Sequence, residues 1–240
     1  MMSIDTKYRS EAPEIMDDFS MEGEILRDAL DKIASINQLL GGNKVTLQGV
    51  KTLIKNRNLN KEMTIVDVGC GNGDMLRTLA DYAAKHQLVF KLIGIDANEF
   101  TVNHARSLSA GYPNISYDCA DIFDASGWGP CDIVLCTLTL HHFKDPEIIK
   151  LLNDFKLKSR MGFVINDLHR SALAYRLFTT LCYAFRLNDM SREDGLVSIL
   201  RSFKRKDLQQ YSAQLNLKKY TIKWKWAFRY QWIVNTTENV

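Results

Sequence analysis

The stretch "TIVDVGCGNGDML", Thr64 to Leu76, decides how the rest of the chain is read. It opens as a buried strand, passes through glycines at 69, 71 and 73, and runs into a helix that begins on Asp74. Glycines let the chain turn tightly and let a ligand approach the backbone without meeting a Cβ, while the helix end offers unpaired N–H donors. A dinucleotide site spaces its glycines G-x-G-x-x-G and seats a pyrophosphate on that helix end. Here the spacing is G-x-G-x-G, the next residue is a carboxylate, and no lysine follows as in a P-loop. A phosphate would be repelled. The turn suits a close-fitting ligand that is phosphate-free and at least partly cationic.

Working outward, strand and helix patterns alternate: "MTIVDVG" then "MLRTLADYAAKH", "VFKLIGID" then "EFTVNHARSLSAG", "NISYDCAD", "CDIVLCTLTL" then "PEIIKLLNDFKLK", and "MGFVIND". Such alternation implies right-handed crossovers and a mostly parallel sheet covered by helices, an α/β sandwich of three layers. Before it, apolar residues from Ile25 to Leu40 form a helical stripe, with Ser20 as its start signal and Gly41-Gly42 as its stop, and a shorter helix runs from about Leu47 to Lys55. The pattern changes after "NRNLN", residues 56–60. Beyond Asp167 we expect a long apolar helix (Ala172 to Leu187), a charged loop "NDMSREDG", and a last helix in the second half of "SILRSFKRKDLQQYSAQLN". In the tail Tyr220, Ile222, Trp224, Trp226, Phe228, Tyr230 and Trp232 share one parity and Lys223, Lys225 and Arg229 the other, which is strand chemistry. The expected reading packs the aromatic face on helices and leaves the basic face in solvent as edge protection. The whole is read as one domain over 1–240: a helical cap (1–60), a ligand-binding core (61–170), a helical lid (171–205), and a last helix with C-terminal strands (206–240).

The composition fits. With 240 residues, 46% hydrophobic, the chain can bury one sizeable core. A net charge of +3 is too small to imply nucleic acid as a partner. Cys70, Cys119, Cys131, Cys136 and Cys182 are odd in number and lack metal-type spacing, so reduced thiols and no metal are expected. The N-terminus has no basic-then-apolar order, and the most apolar stretch, Ser171 to Leu187, is interrupted by Arg176 and Arg186. A cytoplasmic protein without a membrane span is the expectation.

Three aspartates end three strands at the carboxyl edge, where ligands of open α/β sheets bind. Asp67 is placed to attract an ammonium. Asp96, in "GIDAN", can accept both ribose hydroxyls, with Ala97 beside it, and Asp121, in "DCADIF", can accept an adenine amino group while Ile122 packs on the ring. S-adenosylmethionine, with its sulfonium, ammonium and single small carboxylate, meets these conditions, and Gly69, Cys70, Gly71 and Gly73 would be its backbone cradle.

The segments "VDVGCGNGD", "GIDAN", "CADIFD" and "CDIVLCTLTLHHF" resemble, in order and spacing, the successive motifs of class I S-adenosylmethionine-dependent methyltransferases over residues 61–170. The resemblance implies a Rossmann-like sandwich with seven strands, the final one antiparallel, and backbone of Cys136 and Thr137 at the methionine end of the donor. The Asn/Asp-Pro-Pro-aromatic signature of base-amine methylation is replaced by "CTLTLHHF", which argues against that chemistry. His141 and His142 follow at the mouth of the cleft; "HHFKD" is similar to the "H-D-W-S-D" segment of plant-type small-molecule O-methyltransferases, which implies His141 as the base, with His142 standing where that segment has Asp. "INDLHR" resembles segments of methyltransferases of the ubiquinone/menaquinone-biosynthesis and polyketide-tailoring kinds, which makes His169 a second candidate and puts Asp167, His169 and Arg170 in the same cleft, unless Asp167 merely caps a helix over a packed His169. The apolar helix (Leu173, Tyr175, Leu177, Phe178, Leu181, Tyr183, Phe185) together with the cap would wall a hydrophobic acceptor pocket. The expected activity is O-methylation of a phenolic, polyketide- or quinone-like secondary metabolite by a monomer or homodimer. Ring C-methylation of a quinone precursor stays open, as do an NAD-dependent oxidoreductase and a non-catalytic donor-binding partner.

Overall fold

In the computed structural model, which describes residues 4–57, 61–124 and 128–237, the glycine turn sits at the centre of a seven-stranded sheet. The strands are β1 (Met63–Val68), β2 (Phe90–Asp96), β3 (Ile115–Cys119), β4 (Cys131–Thr137), β5 (Ser159–Leu168), β6 (Tyr220–Lys225) and β7 (Arg229–Asn235). Their order is β3-β2-β1-β4-β5-β7-β6. The first five are parallel, and β7 runs antiparallel between β5 and β6. Residues 58–60 of the "NRNLN" stretch lie outside the described residues.

Alternating strand residues supply two cores, which is why the central strands read as continuous apolar runs. Ile65, Leu92, Ile133, Leu135 and Val164 pack on α2 (Gly42–Ile54), α3 (Asp74–His86) and α4 (Glu99–Leu108). Val66, Val134, Phe163, Ile165 and Trp232 pack on α5 (Asp145–Lys158) and α8 (Arg205–Gln214). Over the carboxyl edge lie α1 (Glu24–Leu39), α6 (Ala172–Ala184) and α7 (Asp189–Arg201), with Leu26, Ala29, Leu30 and Met190 forming a small core of their own. No described helix is long and apolar enough to cross a membrane.

Several readings need correction. The first helix starts on Gly23, not Ser20, and the second begins at Gly42 rather than near Leu47, because Gly41 adopts a left-handed conformation and starts a new helix instead of a loop. The "NDMSREDG" segment is helical: the Asn188 side chain accepts the Ser191 N–H at 2.8 Å and opens α7. Its apolar period is weak because one face is polar and partnered. Asp194 accepts the backbone N–H groups of Ile15 and Met16 at 2.6 and 2.9 Å, and Ser198 donates to Glu14 Oε2 at 2.6 Å.

The tail is a hairpin whose second strand, β7, lies inside the sheet and is buried on both faces, while β6 forms the exposed edge. Ile222, Tyr230 and Trp232 are buried, Trp224 and Trp226 are exposed, and Arg229, expected in solvent, is buried and donates to Asn37 Oδ1 at 2.7 Å. Finally, Asp167 caps no helix. Ser171 caps α6 through its side chain, which frees Asp167 for the site.

Candidate active site

A cavity of about 1640 Å³ opens over the carboxyl edge of β1, β2, β4 and β5, covered by α1, α6, α7 and the segment from Lys7 to Phe19. Its two halves differ in chemistry.

The first half is built by the ends of β1 and β2. Asp67, Gly69, Cys70, Gly71, Asp96 and Ala97 all line it, with Asp121, Ile122 and Thr137 at its sides. The glycines divide their tasks. A Cβ on Gly69 would meet Thr139 Cγ2 at 2.3 Å, and one on Gly73 the Tyr117 hydroxyl at 2.0 Å, so these two serve close packing at positive φ. Gly73 stands behind the wall rather than in it. Gly71, at φ 52°, would put a Cβ into open space with only Leu30 Cδ2 at 4.0 Å; its bare backbone is the one presented to a ligand. Cys136 is fully buried beneath the wall, whereas Thr137 reaches it and shares a 3.1 Å hydroxyl contact with Thr46.

One buried and two half-buried carboxyls gather here. Asp96 Oδ2 accepts the Gly71 N–H and Oδ1 the Asn98 N–H, both at 3.1 Å, which ties the second strand to the glycine turn. Asp74 accepts from Asn43 Nδ2 at 2.8 Å, and Asn43 in turn accepts from Asn37 at 2.6 Å. Asp67 is 2% exposed and its Oδ1 has no hydrogen-bond partner. Burial, followed by the charges of Asp74 and Asp96, pushes its carboxyl up to about 8. Such an orphaned acid fits a ligand ammonium, and amides rather than cations satisfy its two neighbours, so the donor set suits S-adenosylmethionine. Asp121 is exposed at the rim, with Oδ1 engaged by the Phe123 N–H at 2.9 Å, and Ile122 is buried beside it.

The raised Asp67 value makes a testable statement about the donor-free protein. Its folded value lies above the ordinary 3.8, so the native state binds the proton more tightly, and stability falls as pH rises from about 4 to about 8. The full cost, on the order of 5 kcal/mol, is expressed above that window. Thermal melts of the donor-free protein from pH 5 to 9 are expected to show this decline. Asp67→Asn should flatten it, and a ligand ammonium seated on the ionised acid should reduce it.

The second half is built by the turn after β4 and by elements distant in sequence. Leu138, in a left-handed conformation, redirects the chain so that His141 tucks under the cavity wall, 2% exposed. Its Nδ1 lies 2.7 Å from Asp167 Oδ1, and its backbone N–H donates to Asp167 Oδ2 at 3.2 Å. Asp167 is itself buried and held below the usual carboxylate range: burial raises it, and the His141 charge and hydrogen bond more than offset that. His141 Nε2 has no hydrogen-bond partner and faces Glu14 Oε1 at 3.7 Å. His142, half-buried, is held at Nδ1 by Asp17 at 2.7 Å and stacks at 4.4 Å on His141. Burial lifts Glu14 to about 6 against the opposing pull of His142. His169 lines the cavity, accepts from Trp224 Nε1 at 3.3 Å and packs edge-on against Tyr230. Asp167 does not share the cleft with His169 and Arg170; it lies behind His141.

Of the apolar lid residues, Leu177, Phe178 and Leu181 line the cavity, while Leu173 and Tyr183 point to solvent. Sequence reading missed Glu14, Asp17, Arg9 and Arg201. Arg201 donates to the carbonyls of His141 and His142 and to Asp17 Oδ2, and Arg9 donates to the carbonyls of His141 and Phe143. The acidic run around Pro13 was the only signal, and no spacing connects it to the histidines.

A family model described as "Methyltransferase domain" matches residues 59–229. The plantazolicin methyltransferase BpumL in complex with SAH superposes with a TM-score of 0.64 at 14% identity, covering 89% of this chain and 94% of that one. Magnesium protoporphyrin IX methyltransferase (ChlM) from Synechocystis PCC 6803 with bound SAH gives 0.56 at 16% identity, covering 82% and 84%. The citrinin polyketide synthase CMeT domain gives 0.60 at 11% identity, covering 81% of this chain and 52% of that one. No curated protein sequence matches. With a family model spanning most of the chain and a carboxyl edge suited to a cationic nucleoside, the chain belongs to the methyltransferase domain family and is a class I S-adenosylmethionine-dependent methyltransferase.

Proposed function

We propose that the protein methylates a hydrophobic small molecule bearing a phenol or enol, at that oxygen, with His141 Nε2 as the general base. One observation carries the reading: a buried imidazole in the cavity wall, fixed at Nδ1 by Asp167 at 2.7 Å, with an unpartnered Nε2. The carboxylate selects the tautomer with the proton on Nδ1, leaves the Nε2 lone pair for the acceptor, and stabilises the imidazolium that forms. Asp167 is a positioning residue. An acceptor hydroxyl competes with Glu14 for the same nitrogen.

In this reading Asp67 and the Gly71 backbone hold the amino-acid end of the donor, Asp96 its ribose, and Asp121 with Ile122 its adenine. When bound, S-adenosylmethionine supplies a methyl carbon on a sulfonium, a leaving group that needs no protonation. What remains for the chain is alignment, removal of the acceptor proton, and exclusion of water by the lid. Leu177, Phe178 and Leu181 favour an apolar acceptor body. The likeness in fold to enzymes named for plantazolicin and magnesium protoporphyrin IX is compatible with a bulky small-molecule substrate. Ring C-methylation is the second reading, favoured by the likeness to a polyketide synthase CMeT domain, because the same base can remove a proton from an activated ring.

The test is turnover with labelled donor across hydrophobic phenols, quinols and small polar acceptors, with product analysis for O-methyl against C-methyl. Methylated hydrophobic phenols are expected. A preference for the polar set would overturn the acceptor class.

A further inference from the structure

We propose that Glu14, His141 and His142 form a binding site for one first-row transition-metal dication of the Zn2+ type, where the N-terminal segment crosses the turn after β4. Glu14 Oε1 lies 3.7 Å from His141 Nε2, Glu14 Oε2 lies 3.8 Å from His142 Nε2, and the three donor groups fall within 4.8 Å of one another. These separations are too long for hydrogen bonds. Two ligands about 2.1 Å from a shared cation at tetrahedral angles lie about 3.4 Å apart, so a contraction of a few tenths of an ångström completes the geometry.

Two independent features point to a ligand. Glu14 and His141 are 6% and 2% exposed, yet Glu14 Oε1 and His141 Nε2, which face each other, have no hydrogen-bond partner. Buried polar atoms left so cost free energy that a bound cation would recover. In addition, each imidazole is gripped on its far nitrogen by a carboxylate, His141 by Asp167 and His142 by Asp17, both at 2.7 Å. That arrangement places the proton on Nδ1 and turns the Nε2 lone pairs toward Glu14, as outer-sphere carboxylates do for metal-binding histidines.

The charge balance agrees. Glu14, Asp17 and Asp167 converge on the two rings, and the guanidinium beside them is that of Arg201, 2.6 Å from Asp17 and 3.6 Å from Glu14 Oε1. With neutral imidazoles, three carboxylates outnumber the guanidinium groups of Arg201 and of Arg229, which interacts with Asp167, and leave a negative excess that favours a cation. Ser198 Oγ donates to Glu14 Oε2 and steadies that carboxylate. Two imidazoles with one carboxylate select zinc-like ions over magnesium or calcium, which prefer oxygen ligands. Three protein ligands also leave a coordination position toward the cavity. A cation on His141 Nε2 and proton removal by that atom exclude each other in one molecule, so the metal-loaded protein would lack the base proposed above, while metal binding itself does not depend on that reading.

Protein stripped of metal with a chelator is titrated with Zn2+ against a chromophoric competitor and, separately, with Co2+ in the visible range. One equivalent of Zn2+ per chain is expected, with no competition from millimolar Mg2+. Glu14→Gln and His142→Gln should each weaken binding at least about tenfold, with S-adenosylhomocysteine affinity retained as the check on folding. Absence of stoichiometric binding overturns the proposal, as does Zn2+ binding that both variants leave unchanged. Should the variants fail to fold, the Co2+ spectrum of the unaltered protein decides. Intense bands of a four- or five-coordinate nitrogen–oxygen site support the assignment; weak octahedral bands, or thiolate charge transfer from Cys119, overturn it.

Discussion

Replacing His141 with Gln is expected to slow methyl transfer by about 10²–10⁴-fold while leaving the affinity for S-adenosylhomocysteine unchanged. The two effects separate because His141 sits in the half of the cavity built after β4, and the carboxylates proposed to hold the donor end β1 and β2. The size of the loss reflects the need to ionise a phenol whose proton is otherwise retained near neutral pH. Single-turnover measurements with an active phenol, beside donor calorimetry, check it. Asp167→Asn is the companion variant. An amide at that position still reaches Nδ1, now 2.7 Å from Asp167 Oδ1, but no longer stabilises the imidazolium, so turnover should fall and the acid limb of the pH–rate profile should move to lower pH. A residue that served packing alone would lower the rate without changing the shape of that profile. An unchanged rate in the His141 variant would remove the base assignment and leave alignment as the chain's whole contribution.

Asp96→Ala should weaken donor binding by at least about 100-fold, since hydrogen bonds to a charged acceptor are each worth about 1.5–3 kcal/mol and two ribose hydroxyls are at stake. A second effect adds to the first. Asp96 accepts the N–H groups of Gly71 and Asn98, so the truncation also releases the turn whose bare backbone faces the cavity. Asp96→Asn keeps one carbonyl oxygen as acceptor and should recover part of the loss. Calorimetry with S-adenosylhomocysteine measures both variants. Donor affinity equal to that of the unaltered protein in the alanine variant would show that the ribose is held elsewhere.

Much of the half of the cavity at the ends of β1 and β2 was legible from Thr64–Leu76 outward because its determinants are local. A strand, a glycine turn and a helix start lie within a dozen residues, and each following aspartate ends a strand whose alternation of apolar faces is written in the chain. Even there the chain does not say which glycine faces the ligand. Gly69, Gly71 and Gly73 look alike in sequence, and only the neighbours Thr139 and Tyr117 separate packing glycines from the exposed one. In the acceptor half, α7 was read as a loop because its inward face is made of Asp194, Ser198 and Arg201, whose partners are residues 14–17. Arg229 was assigned to solvent because alternation alone does not say that β7 sits between β5 and β6, where both of its faces are buried.

The sequence by itself therefore determined the sheet, its central turn and the three strand-end carboxylates, since periodicity and turn chemistry act between near neighbours. Tertiary structure alone decided that Asp167 stands behind His141, that Asp17 stands behind His142, and that Glu14 faces both rings. Those pairings join segments far apart in the chain, and electrostatic fit in a buried site leaves no periodic mark along it.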